Sequence, residues 1–90
     1  MRKIAILTIA AATLGAATAQ AGSLGKPCTS ASEAQWLPVK QLQAKVEAQG
    51  YKVQKAKLKN ACGEFYTLDK NGNRVELFVD PTNGHIIGQM

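Results

Sequence analysis

The sequence predicts an α+β fold: one helix packed on one face of an antiparallel three- to four-stranded sheet. Three observations carry this. Apolar residues recur at helical spacing over Val39, Leu42 and Val46, and the pattern stops at Gly50. Two runs of strand-forming residues, 64–69 and 74–80, flank the turn-rich Lys70-Asn71-Gly72. Asp80-Pro81-Thr82-Asn83-Gly84 then turns the chain into a last short strand, His85-Ile86-Ile87.

The helix is expected over residues 38–49. Pro38 suits the first helical position, where its missing N–H costs nothing, and Gly50 is placed to end the helix in a left-handed conformation. Lys40, Gln41, Gln43, Lys45 and Glu47 fall off the apolar stripe. Trp36, just before the helix, is expected to pack over one end of the core; its other reading is a ligand platform.

Strand one is expected over residues 51–59. Tyr51 and Val53 share one parity while Ala56 and Leu58 take the other, so a one-residue bulge near Gln54-Lys55 is needed to put all four on one face. The hairpin that follows admits two registers. A two-residue Asn71-Gly72 loop pairs Leu68 with Val75 and sets Glu64 on the face of Leu77. A three-residue Lys70-Asn71-Gly72 loop, opened by Asp69 and closed by a left-handed Gly72, pairs Thr67 with Val75 and Phe65 with Leu77. The second register buries no carboxylate under the helix and is preferred. It puts Phe65, Thr67, Val75, Leu77 and Val79 on the helix side, and Glu64, Tyr66, Leu68, Arg74, Glu76 and Phe78 on the other.

Ahead of the domain, Arg2 and Lys3 precede an uncharged Ala-rich stretch, and Ala19-Gln20-Ala21 matches the small-x-small pattern of a secretion signal. Residues 1–21 are therefore expected to be a signal peptide cut between Ala21 and Gly22, leaving 69 of the 90 residues. Residues 22–35 read as an extended lead-in, and 36–90 as the folded domain. The alternative is an uncleaved membrane anchor, but the apolar stretch is short and weakly hydrophobic for a span of about 20 residues, and no stable membrane insertion is expected after cleavage. A domain this small buries little core and usually needs a staple. Cys28 and Cys62, an even count in an exported chain, are expected to form a disulfide, with a periplasmic or secreted location.

The formal charge is +5, or +3 once Arg2 and Lys3 leave, with nine basic residues against six acidic ones. Much of it lies in Lys52, Lys55, Lys57 and Lys59. These lysines read as a solvated strand that resists edge-to-edge pairing, or else as a seat for an anionic partner. Export argues against nucleic acid.

The helix ending in Gly50-Tyr51-Lys52-Val53, then Gly63-Glu64-Phe65, then the run from Asp69 through Asp80-Pro81-Thr82-Asn83-Gly84 to Ile86-Ile87, resemble the PepSY domains of small exported bacterial proteins. The Cys just before strand two resembles the disulfide-bearing type. The resemblance spans residues 36–88. PepSY domains are known from the propeptides of thermolysin-like metallopeptidases and are proposed to inhibit or chaperone peptidases. The resemblance therefore implies a non-catalytic protein-binding module, acting on any peptidase in trans, and it carries over no catalytic residue.

The residues agree with a binding module. His85 is the only His and Ser23, Ser30 and Ser32 lie in the lead-in, so no nucleophile–base pair assembles and no enzyme is expected. Asp69-Lys70-Asn71-Gly72-Asn73 starts like a calcium loop, but the twelve-residue pattern then needs Gly at Arg74 and Glu at Asp80. His85 and Met90 are too few to hold a metal, and no cofactor is expected. The candidate partner-binding surface is the sheet face away from the helix, with Tyr66, Leu68, Arg74, Glu76 and Phe78. A homodimer partner or the lead-in could cover the same face. The alternative function is a small-ligand or metal-sensing module of the envelope, using Trp36, His85 or the lysines.

Overall fold

The computed structural model describes residues 22–90. The expected signal segment, and Ala21 on the near side of the expected cut, lie outside the described residues. The elements follow in order as a 3₁₀ turn (Glu33–Gln35), helix α1 (Val39–Glu47) and strands β1 (Lys52–Lys59), β2 (Cys62–Leu68), β3 (Arg74–Val79) and β4 (Ile86–Gln89). The strands form one four-stranded antiparallel sheet in the order β1-β2-β3-β4, with α1 across one face.

Helix α1 starts one residue later than expected. Pro38 occupies the capping position, and its carbonyl accepts the Gln41 and Leu42 N–H groups at 2.9 and 3.1 Å. At the other end the Gly50 N–H bonds Glu47 O at 3.0 Å, and Gly50 takes φ +102°, the left-handed turn that favours glycine. The Gln49 amide folds back to donate to the Lys45 carbonyl at 3.1 Å, satisfying one of the last open acceptors.

Leu42 and Val46 are fully buried against Phe65, Leu77 and Val79, with Leu37, Tyr51, Val53, Ala56, Val75 and Ile86 around them. This is one apolar cluster, and it contains no carboxylate. Leu37, rather than Trp36, belongs to this cluster. The Leu37 N–H donates to Pro81 O at 2.8 Å, tying the helix entrance to the β3–β4 turn. Trp36 is half-buried and donates its indole N–H to the Ala31 carbonyl at 3.0 Å.

The β1 bulge lies where the parity switch demanded it: Val53 pairs with Thr67 and Lys55 with Tyr66, leaving Gln54 as the extra residue. Leu58 keeps the expected parity but stays 38% exposed and outside the core cluster, near the far end of β1. The hairpin takes the three-residue loop. Thr67 pairs with Val75 and Phe65 with Leu77, the Gly72 N–H bonds Asp69 O at 3.0 Å, and Gly72 has φ +83°. The Asp69 carboxylate accepts the Asn71 and Asn73 N–H groups at 2.8 and 2.9 Å, so it serves the turn. Those bonds, that of Asn73 foremost, hold its carboxyl below the ordinary value.

Two strands differ from expectation by two residues at one end. Strand β2 begins at Cys62, because β1 and β2 are joined by only Asn60 and Ala61, both at positive φ (53° and 60°). Such a tight turn is normally built with glycine. The last strand is displaced towards the C-terminus, Ile86–Gln89 instead of 85–87. A bulge at Ile87 lets Phe78 pair with Gly88 and Val79 with Ile86, and Glu76 and Met90 then exchange backbone bonds at 2.9 and 3.0 Å.

Candidate functional site

Strand alternation places Tyr66, Leu68, Arg74, Glu76 and Phe78 on the face away from α1, as the register required. Across β2 and β3, Glu64 stands opposite Phe78, Tyr66 opposite Glu76, and Leu68 opposite Arg74. Of the two readings of this face, open or covered by the lead-in, the structure shows the second at its Phe78 end. Phe78 is completely buried, clustered with Cys28 and Cys62, and Leu24 packs on that cluster. The lead-in thus covers the Phe78 end of the sheet.

Three contacts hold the cover down. Cys28 and Cys62 form the disulfide, with an S–S distance of 2.09 Å. The Cys28 N–H donates to Ala61 O at 3.3 Å, beside the tight β1–β2 turn. The Gly22 N–H donates to Glu76 Oε1 at 3.0 Å. Gly88 makes room for the packing: a Cβ there would sit 2.7 Å from Leu24 Cδ1. A glycine inside a strand marks such a close approach.

Two buried carboxylates lie on this face, and Glu76 touches the cover. Glu64 is 2% and Glu76 9% exposed. Glu64 Oε1 has the Lys57 ammonium at 4.0 Å, the outer limit of an ion pair. Glu64 Oε1 and Glu76 Oε2 have no hydrogen-bond partner among the described protein groups. Carboxylate oxygens withdrawn from water without donors are costly, so they mark a place that favours positive charge. Tyr66 senses the same field: partial burial first, then the Glu76 and Glu64 charges, push its phenol pKa upwards.

The other half of the face stays accessible. Tyr66 and Leu68 are half-buried and Arg74 is exposed. The ammonium groups of Lys55 and Lys57 stand 6.0 and 5.8 Å from the Tyr66 ring centroid. Together these residues make a small aromatic and aliphatic surface with a basic rim, next to a buried acidic interior. Alternation in the sequence was enough to bring Tyr66, Leu68, Arg74, Glu76 and Phe78 onto one face. It did not reveal that Leu24, Cys28 and Gly22 come to lie over two of them. The glycine within β4 was the available sign of that approach.

The arrangement offers binding chemistry. Exposed His85 sits in the β3–β4 turn, with its backbone N–H on Asn83 Oδ1 at 2.8 Å. Among the described residues, no three His, Cys, Asp or Glu side chains are grouped to hold a metal ion, and no helix there is long and apolar enough to cross a membrane. A family model described as peptidase propeptide and YPEB domain matches residues 5–90. No curated protein and no solved structure matches the chain.

Proposed function

We propose that this chain, which belongs to the peptidase propeptide and YPEB domain family, is an exported protein-binding module that restrains a peptidase in trans. Domains of this family are generally non-catalytic, propeptide-like modules, and they are typically extracellular or periplasmic. The disulfide fits an oxidising compartment, which supports the periplasm or the exterior as the place of action.

The observation that carries the reading is the uncovered half of the face opposite α1, where Tyr66, Leu68 and Arg74 stand beside Lys55 and Lys57. An aromatic and an aliphatic side chain within a charged rim match the make-up of a partner-binding patch. The basic rim favours a partner that presents acidic groups around an apolar side chain. Phe78 and Glu76 support this surface from below; their burial removes them from direct contact with a partner.

The test is the initial rate of a thermolysin-like metallopeptidase on a fluorogenic peptide, with increasing amounts of the oxidised protein. The rate is expected to fall to a plateau. Leu68→Asp is expected to weaken the effect by about tenfold, the size of losing one central interface contact. A rate unchanged at every concentration would remove the peptidase reading. Equal inhibition by Leu68→Asp would move the contact to another surface.

A further inference from the structure

We infer that Gly22 is the seat of a processed N-terminus: once the bond between Ala21 and Gly22 is cut, the new α-ammonium pairs with the buried carboxylate of Glu76 and locks the lead-in across the sheet.

Three observations meet at this position. The Gly22 nitrogen lies 3.0 Å from Glu76 Oε1, a long-range contact across 54 positions of sequence. Glu76 is 9% exposed and its second oxygen, Oε2, has no donor among the described groups. An amide offers this carboxylate one neutral N–H. An ammonium offers three donors and the opposite charge, which is what a buried carboxylate needs to be compensated. Finally, residue 22 lies close against the C-terminal end of β4: a Cβ there would meet Met90 Sδ at 2.0 Å, a contact that the flexible, exposed Met90 side chain can relieve by moving. The cleavage pattern asks for small residues at Ala19 and Ala21, not at residue 22.

The chemistry is a hydrolysis by signal peptidase. Water adds across the Ala21–Gly22 amide, Ala21 leaves with a carboxylate, and the freed Gly22 amine takes up the proton. An α-amine of ordinary pKa, about 7.7–8.0, is largely protonated at neutral pH. The other charged or titratable groups of this face include Lys55, Lys57 and Lys59 on β1, Glu64 and Tyr66 on β2, and Arg74 on β3; Lys57 is directed to Glu64, and the Tyr66 phenol interacts with Glu76. In the uncut chain the same nitrogen is a neutral amide, so the cover is completed only on export. Processing thereby sets how firmly the lead-in shields Phe78 and the inner half of the face.

The experiment starts from the full sequence, expressed with its own leader and purified from the exported fraction. Intact mass and N-terminal sequencing are expected to give Gly22 as the first residue. Titration of the ¹⁵N,¹³C-labelled Gly22 amine by NMR is expected to give a pKa at least about one unit above the ordinary range. Glu76→Gln is expected to return it to that range. Selective acetylation of the α-amine is expected to lower Tm by about 5 °C in the unaltered protein and to have little effect in Glu76→Gln. Should Glu76→Gln fail to fold, the titration of the unaltered protein decides alone. A first residue other than Gly22, or an amine that titrates in the ordinary range in the folded protein, would overturn the inference.

Discussion

Leu42 and Val46 cover one face of the sheet from a helix, while Leu24 and Cys28 cover the other from a segment whose regular structure is confined to one 3₁₀ turn. The two covers work differently. Helix α1 satisfies its own backbone and presents a continuous apolar stripe, so its attachment is spread over many side chains. The lead-in has no such stripe. It is held at points: a covalent bond to β2, one backbone bond to Ala61, and one contact from Gly22 to a buried carboxylate. The helix side is apolar throughout its core cluster, whereas the lead-in side buries Glu64 and Glu76 beside Phe78. A distributed cover tolerates the loss of any single contact better than a point-anchored one. The point-anchored side is therefore expected to be released, by reduction or by leaving the Gly22 nitrogen uncharged, without dismantling the rest.

This comparison can be broken most forcefully at the two buried phenylalanines. Phe65→Ala empties the helix-side core and is expected to cost about 5 kcal/mol, the upper end of the range for such truncations, because the layer around it is closed on all sides. Urea unfolding measures it. Replacing Cys28 and Cys62 together by Ser is expected to cost about 4 kcal/mol, the chain-entropy value for a loop of this size. The far-ultraviolet spectrum should persist. Phe78→Ala is expected to cost about 3 kcal/mol, less than Phe65→Ala, because the lead-in can settle into the gap. Equal costs at Phe65 and Phe78 would mean that the two covers are equally rigid. Ala61→Gly is expected to gain about 1 kcal/mol by relieving a left-handed alanine at φ 60°.

The smallest effect is a titration. With the Tyr66 phenol raised above 10.0, the folded state favours its neutral form. Its contribution to stability is fully present below 10.0 and is lost as pH rises through the folded value. Absorbance at 295 nm, assigned with Tyr66→Phe, should show the late transition, and Glu76→Gln should bring it earlier.

Much of the helix side was legible because each part of it has a period. The spacing of Val39, Leu42 and Val46, the parity switch at Gln54, and the cost of a carboxylate under the helix together determined the register that pairs Thr67 with Val75. The lead-in side was legible only in part. Alternation showed which side chains share the face, and the cysteine count showed where the chain is stapled. Neither said that Phe78 is sealed, because the segment above it has no pattern to read and its path follows from the staple, Leu24 and the gap at Gly88. The Asn60-Ala61 turn escaped notice for a related reason: it uses left-handed residues without the glycine that signals them. The displaced β4 follows from the Ile87 bulge, a one-residue shift that the short pattern of Ile86 and Ile87 does not specify.

The most direct test of the two-cover account is a set of proton–proton NOEs recorded before and after reduction. With the disulfide intact, the Leu24 methyl groups are expected to show NOEs to the Gly88 α-protons and to the Phe78 ring, alongside those between Leu42 and Phe65. Reduction should abolish the Leu24 set and leave the Leu42–Phe65 set in place. Absence of the Leu24 contacts in the oxidised protein, or simultaneous loss of both sets on reduction, would contradict the account.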